Sequence, residues 1–114
     1  MSRVKIVKKP WGWEVWYART PKYAGKVLTI EKGGRLSLQY HRVKHETIYV
    51  LKGRLLLELD RRRIVLKAGS AYAIRPKSIH RFSAPDGRVT LLEASTPELA
   101  DVVRLEDDYG RAKL

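Results

Sequence analysis

The sequence predicts an all-β sandwich or barrel, folded as a single domain over residues 1–114. Three observations support this. Short runs rich in β-branched, aromatic and leucine residues recur between Gly, Pro and charged turn signals, spaced about 8–12 residues apart. No segment before residue 96 sustains a helical period. Hydrophobic residues make up 44% of the 114 and are spread along the chain, which suits one domain with a real core.

The elements follow in order. Met1 to Val7 alternates loosely, Val4 and Ile6 against Arg3 and Lys5, and reads as a first strand that Lys8-Lys9-Pro10 breaks. Trp11 to Tyr17 is an aromatic, strand-like stretch in which Trp11, Trp13 and Val15 share a face if the strand runs unbroken, and Gly12 suits a close backbone approach or a bulge. The three Trp residues read as an edge-to-core cluster or dimer contact, ahead of a substrate platform. After a turn at Arg19–Lys22, Tyr23 to Ile30 is a strand, and Glu31–Gly34 turns. Leu36–His41 and Glu46–Leu51 form two strands joined by a short polar connection. Lys52–Arg54 turns, Leu55–Leu59 runs out, Asp60–Arg63 is a charged hairpin tip and Ile64–Leu66 returns. Beyond the Lys67–Ser70 turn, Ala71–Arg75, Ile79–Ser83 and Val89–Ala94 are further short strands, parted by Pro76–Ser78 and Pro85–Gly87. Pro97–Ala100 is expected to form one helical turn with Thr96 as its N-cap.

Composition narrows the setting. There are no cysteines, so disulfides and thiolate metal sites are excluded. No apolar run approaches the roughly 20 residues of a membrane span, and the N-terminus lacks the apolar region of a signal peptide. A cytoplasmic protein without membrane association is the expectation. With 24 Lys and Arg against 12 Asp and Glu, the net charge of +12 favours anionic partners such as sugar phosphates, or simply gives a solvated, repulsive surface. Nucleic acid is not expected, since no motif beyond charge points to it. The chain has no Asn and a single Gln, a composition like that of proteins from hot environments. In so amide-poor a chain, Gln39 is expected to have a job.

One stretch gathers the chemistry. Gly34 to Gly53 holds Gln39, His41, His45 and Glu46, and the third histidine, His80, follows Arg75-Pro76. Gln39, His41, Glu46 and His80 are expected to converge on one divalent metal inside a small barrel. Residues two apart on a strand share a face, so Gln39 and His41 form one pair of N/O ligands. Glu46 then meets them from the antiparallel partner strand, whose inward face Ile48 and Val50 continue. Duller readings stay open at this point: Glu46 could pair with Arg42 or Lys44, and His45 could replace His41.

These residues also carry a resemblance. Gly34-x5-Tyr40-His41-x4-Glu46-x6-Gly53 resembles the first cupin motif, Gly-x5-His-x-His-x(3,4)-Glu-x6-Gly, with Gln39-x-His41 in place of His-x-His. Gly69 to His80 is similar to the second motif. More closely, the chain resembles the cupin domain of type II mannose-6-phosphate isomerases. Lys9-Pro10-Trp11-Gly12-x-Glu14, Gly33 to His41, Ile79-His80-Arg81 and above all Val103 to Arg111 carry that likeness. Three departures stand out: Val43 replaces a polar residue, Glu46-Thr47-Ile48 stands for Glu-His-Trp, and Ile74 to His80 lacks the glycine of Ile-Pro-x-Gly-x-x-His.

The resemblance implies a double-stranded β-helix, the cupin jelly-roll barrel. It implies Gln39, His41, Glu46 and His80 as ligands of a divalent metal, zinc first, with manganese, cobalt, nickel or iron as alternatives. It implies an aldose–ketose isomerase that takes an anionic sugar phosphate, mannose 6-phosphate to fructose 6-phosphate, and a homodimer. In such a reaction the metal polarises the carbonyl and stabilises an enediol(ate), while a base moves a proton between C1 and C2. Glu58, if it points inward, is the catalytic candidate for that base, with His45 and Lys44 as others. Arg81 is the candidate for a phosphate or oxyanion contact, although it and His80 should face opposite sides of a regular strand. Guanylyltransferase activity is not implied by a likeness to the cupin domain alone. The alternatives are a metal cupin with another small-molecule substrate, and a non-enzymatic ligand-binding or regulatory cupin.

Overall fold

Side chains alternate between the two faces of a strand, and here that period organises two facing sheets. The computed structural model describes residues 4–112, and every regular element in them is a strand. In chain order these are β1 (Lys5–Lys9), β2 (Gly12–Arg19), β3 (Ala24–Ile30), β4 (Leu38–Tyr40), β5 (Glu46–Lys52) and β6 (Arg54–Leu59). They continue as β7 (Arg62–Lys67), β8 (Ala71–Ile74), β9 (His80–Ser83), β10 (Val89–Ser95) and β11 (Val103–Glu106). One sheet has the order β1-β2-β3-β10-β5-β8 and the other β11-β4-β9-β6-β7, with antiparallel neighbours throughout. Pairings such as β3 with β10 and β4 with β9 join distant parts of the chain, giving the expected jelly-roll barrel.

The inner faces of the sheets meet over Leu28, Ile30, Ile48, Val50, Leu57 and Phe82. Strand β5 shows the rule plainly: Ile48 and Val50 are buried while Thr47, Tyr49 and Leu51 face outward. Each large apolar side chain fully buried this way contributes about 1.5–3 kcal/mol. Gly12 is required by packing. A Cβ there would lie 1.9 Å from the Thr29 carbonyl oxygen, so the expected close backbone approach is real.

Several local expectations change. Lys8 and Lys9 do not break β1, because Lys9 pairs with Gly12 and the reversal is made by Pro10 and Trp11 alone. Residues 1–3 of the expected first strand lie outside the described residues. Trp11 sits in that turn, buried in the core, so it does not share a strand face with Trp13 and Val15. The charged tip shrinks to Asp60 and Arg61, with φ of 45° and 72°, a two-residue reversal of the kind that matches strand twist. Arg62 and Arg63 belong to β7.

The helical turn at Pro97–Ala100 does not form. Thr96 Oγ1, the expected cap, instead accepts the His45 N–H at 2.9 Å, and the Thr96 N–H donates to the His45 carbonyl at 3.0 Å. Asp101 is held by residues 41–44, so the chain between crosses as turns. Beyond it runs β11, which the strand pattern did not reveal. The segment after β11 is tied down twice. Asp108 receives Arg35 Nε and Nη2 at 2.5 and 2.8 Å, and Asp107 receives the Arg111 backbone and guanidinium N–H groups at 2.7–3.0 Å.

Two predictions follow from these backbones and pairs. Lys77 has a φ of 70°, in the left-handed region, at the position where the resembled motif carries glycine. That conformation costs a non-glycine residue about 1–2 kcal/mol, against roughly 0.5–1 kcal/mol of extra chain entropy for glycine. Lys77→Gly should therefore raise stability by about 0.5–1 kcal/mol in denaturant unfolding, a rare gain from adding glycine.

The second prediction concerns Asp107, which Arg111 beside it lowers to about 2 from the ordinary 3.8. Its folded value lies below the unfolded one, so this stabilisation is complete above 3.8 and is lost as pH falls towards 2. The Arg111 amide proton shift should titrate with a midpoint near 2, and Asp107→Asn should abolish that titration.

Candidate metal centre

The strands β3, β5 and β10 each carry one charged residue among their inward apolar ones: Lys26, Glu46 and Glu93. Lys26 and Glu46 lie near the starts of β3 and β5. Glu93 lies towards the end of antiparallel β10, where it pairs with both Lys26 and Ile48. All three therefore gather at one end of the barrel, and His41 and His80 join them from the facing sheet's side.

His80 opens β9 directly opposite Gln39 of β4, so the two are cross-strand neighbours. His41 follows β4, and its carbonyl accepts the Lys77 N–H at 2.6 Å. Glu46 opens β5 in the other sheet. His41 thus meets Glu46 across the barrel and not across a strand pair, because β4 and β5 part into different sheets, while Gln39 is placed beside His80.

His41 Nε2 lies 3.6 Å from Glu46 Oε1, and His80 Nε2 lies 3.3 Å from the same oxygen. One ligand atom from each residue falls within 4.8 Å of the others, and all three side chains are buried. The tautomers follow from the second ring nitrogens. His41 Nδ1 is 2.6 Å from the Asp101 carbonyl and His80 Nδ1 is 2.9 Å from the Ser78 carbonyl. A carbonyl only accepts, so each Nδ1 carries the proton and each neutral ring aims the Nε2 lone pair inward. Neither Nε2 nor Glu46 Oε1 finds a hydrogen-bond partner among the described residues. Three buried acceptors facing one another call for a positive charge between them. Metal bonds of about 2.1 Å place adjacent ligand atoms roughly 3.0–3.4 Å apart, close to the spacings here. The residues fit a divalent ion with N/O preference.

Gln39 lies alongside. Its Oε1 accepts the Ser37 hydroxyl at 2.7 Å, which leaves one lone pair on an amide next to His80. His45 is exposed and does not replace His41. Lys44 is buried, with Nζ 3.2 Å from Glu46 Oε2 and 3.1 Å from Glu93 Oε2. Burial works against its charge, but Glu93 and Glu46 together hold it above the ordinary lysine value. Glu93 is pushed up to about 8, first by burial and then by the Glu46 charge. Glu46 moves the other way: burial raises it, yet it is held well below the usual carboxylate range, with the Lys44 ammonium 3.2 Å from its Oε2.

The remaining expected site residues lie elsewhere. Arg81 points away from His80, as strand alternation requires, and donates to the Leu36 carbonyl at 2.8 Å and the Glu106 carbonyl at 3.2 Å. Glu58 sits opposite it across β6–β9, on the face turned away from Leu57 and Leu59. Both line an outer groove of about 710 Å³ that contains none of the four expected ligands. The barrel-end cavity is a separate space of about 80 Å³, lined by Gln39 and His41 and by Lys26, Lys44, Glu93 and Arg104 among others. Catalytic roles for Arg81 and Glu58 at the metal cluster do not fit this placement. The sequence reading missed Glu93 and Lys26, though the signal was present: each occupies an inward position of an otherwise apolar alternation.

A two-sheet jelly-roll with two histidines and a glutamate turned into one end is the architecture of a cupin barrel. The chain belongs to that family, whose cupin domain model matches residues 26–94. It is 31% identical over 110 residues to the alginate biosynthesis protein AlgA of Pseudomonas aeruginosa, covering 92% of this chain and 23% of that protein. It is 26% identical over 115 residues to a mannose-1-phosphate guanylyltransferase of Klebsiella pneumoniae, covering 96% of this chain and 24% of the relative. The chain thus spans about a quarter of the length of these curated relatives.

Among solved structures, an RmlC-like cupin from Shewanella frigidimarina superimposes with a TM-score of 0.77 at 19% identity, over 85% of this chain and 86% of that one. KdgF from Halomonas does so at 0.75 and 18%, over 85% and 87%. The nucleoside dehydratase Pac13 gives 0.76 and 17%, over 91% and 86%. At such identities these structures share the fold. Among the described residues, no helix is long and apolar enough to cross a membrane.

The metal reading has a direct check. Purified protein should bind one equivalent of zinc or manganese by calorimetry, and His41→Ala and His80→Ala should each weaken binding by roughly 100-fold or more. His45→Ala should leave it unchanged. Unaltered affinity in His80→Ala would remove the centre.

Proposed function

We propose that this chain is a metal-dependent aldose–ketose isomerase acting on a sugar phosphate, with mannose 6-phosphate to fructose 6-phosphate as the leading reaction. One observation carries the reading: two tautomer-locked histidines and Glu46 turn unpartnered ligand atoms towards one point beside a small polar cavity. Similarity along 96% of the chain to an enzyme named for mannose 1-phosphate supports a phosphorylated mannose as substrate.

His41, Glu46 and His80 would hold the ion, with Gln39 as fourth ligand; zinc is the leading choice, and manganese, cobalt, nickel or iron(II) suit the same donors. Bound there, a divalent ion supplies Lewis-acid polarisation of a carbonyl or hydroxyl oxygen. The chain's own proton carriers at the cavity are Lys44 Nζ and Glu93 Oε2, hydrogen-bonded to each other at 3.1 Å beside His41. They replace Glu58 as candidates for the proton transfer, since Glu58 lies on the outer face. A cytoplasmic setting and a homodimer belong to the same proposal, and the exposed Ile6 of edge strand β1, with Val4 just before it, offers an apolar surface for a second copy.

The deciding experiment is an isomerase assay on metal-stripped protein with mannose 6-phosphate, repeated after adding each metal. Turnover should return with metal and disappear in His80→Ala. Glu93→Gln should keep its metal but lose roughly 100-fold or more in kcat. Metal binding through the same residues without turnover would redirect the centre to another substrate, and absence of metal binding would leave a ligand-binding barrel.

A further inference from the structure

Five cations line the small cavity beside the metal cluster: Lys9, Lys26, Lys44, Arg104 and Arg111. Three of them are neutralised on the spot. Lys26 Nζ lies 3.3 Å from Glu14, Lys44 Nζ lies 3.2 Å from the ionised Glu46, and Arg111 Nε lies 2.8 Å from Asp107. Lys9 and Arg104 have no acidic partner within ion-pair distance among the described residues. Arg104 Nε is buried and finds no hydrogen-bond acceptor there either. A guanidinium N–H removed from water with nothing to donate to is a donor prepared for a ligand.

Placement gives that ligand an address. Arg104 of β11 pairs with Gln39 of β4, and Gln39 pairs with His80 of β9. The three residues form one row across three adjacent strands, and paired residues share a face. With strands about 4.8 Å apart, the Arg104 backbone stands roughly 10 Å from that of His80. This separation suits a small substrate with its anionic end at Arg104 and its reacting end at the metal. Lys9, at the end of β1, approaches the same space from the other sheet. Burial lowers its pKa; the Glu14 charge opposes this, and the nearby Lys26, Arg104 and Arg111 add to it, so an anion bound there would favour the protonated amine.

We propose that Arg104 and Lys9 form the subsite for a phosphate group at the mouth of the metal cavity, the role that the sequence had suggested for Arg81. The inference rests on the sugar-phosphate reading of the centre and assigns the phosphate end of that substrate. It also gives a function to the Val103–Arg111 segment. Asp107 and Asp108 anchor its turn to Arg111 and Arg35, leaving Arg104 free to face the cavity.

The test uses the full chain and three probes in calorimetry: inorganic phosphate, mannose 6-phosphate and unphosphorylated mannose. Phosphate is titrated into metal-stripped protein, so that binding to the ion does not contribute. The sugars are titrated into the zinc-loaded protein. Arg104→Gln and Lys9→Gln should each weaken both phosphate-bearing probes by roughly 10–100-fold, and leave mannose affinity and zinc stoichiometry unchanged. Arg63→Gln, on exposed β7, should change nothing. Two variants keep the test decisive if one fails to fold.

Absence of phosphate binding to the wild-type protein, or unchanged affinity in both variants, would overturn the subsite. Arg104-dependent phosphate binding without isomerase turnover would support the subsite and remove the isomerase reading. Turnover with an unchanged KM in Arg104→Gln would do the reverse.

Discussion

Asp101 holds the candidate centre together. Its carboxylate accepts three consecutive backbone N–H groups, from Arg42, Val43 and Lys44, at 2.8–3.0 Å. Its carbonyl fixes the His41 ring through Nδ1. Asp101 thus shapes the connection between β4 and β5 and sets the tautomer of His41. Partial desolvation works against the Asp101 charge, yet the three N–H groups outweigh it and lower its pKa to about 2. The carboxylate is therefore ionised across the ordinary pH range, and the clasp stays closed. The clasp thereby fixes the link between β4 and β5, which lie in different sheets.

The barrel interior is divided lengthwise. One end is filled by Ile30, Val50, Leu55 and Val89, and the other holds Glu14, Lys26, Lys44, Glu46 and Glu93. Buried charges are expensive unless each is paired, and replacing such groups with apolar residues often stabilises a fold. Lys26 is matched with Glu14, and Lys44 bridges Glu46 and Glu93. Trp16 adds a second restraint: its Nε1 donates to Glu14 at 2.7 Å, and its ring lies 4.7 Å beneath the Lys26 ammonium. The apolar end supplies the stability that allows the polar end to be kept for chemistry.

Two basic regions differ in how their cations are bound. Arg35, Arg61 and Arg81 line a broad groove outside the five-stranded sheet, where Arg81 is committed to backbone carbonyls and Arg35 to Asp108. The smaller cavity holds Arg104, whose buried Nε–H finds no acceptor among the described residues. Size alone would have favoured the groove, but unmet hydrogen-bonding capacity marks the cavity, and unmet capacity is what a ligand can satisfy.

The sequence by itself determined the class of fold, because a two-residue period with regular turn signals has few solutions other than a sandwich or barrel. It also determined which residues were worth watching. Gln39, His41, Glu46 and His80 stood out by type, spacing and resemblance, and the structure brings His41, Glu46 and His80 together and sets Gln39 beside His80. Strand alternation was enough to warn that Arg81 would face away from His80. Local pattern could not show what depended on partners some 60 residues distant. Thr96 was read as a helix cap and is instead bound to His45, and Asp101 carried no local signal of its grip on residues 41–44. β11 became a strand because β4 offered it an edge, and that pairing set Arg104 in line with Gln39 and His80. Local periodicity decides which way a side chain points, whereas the topology of the sheets decides what it points at.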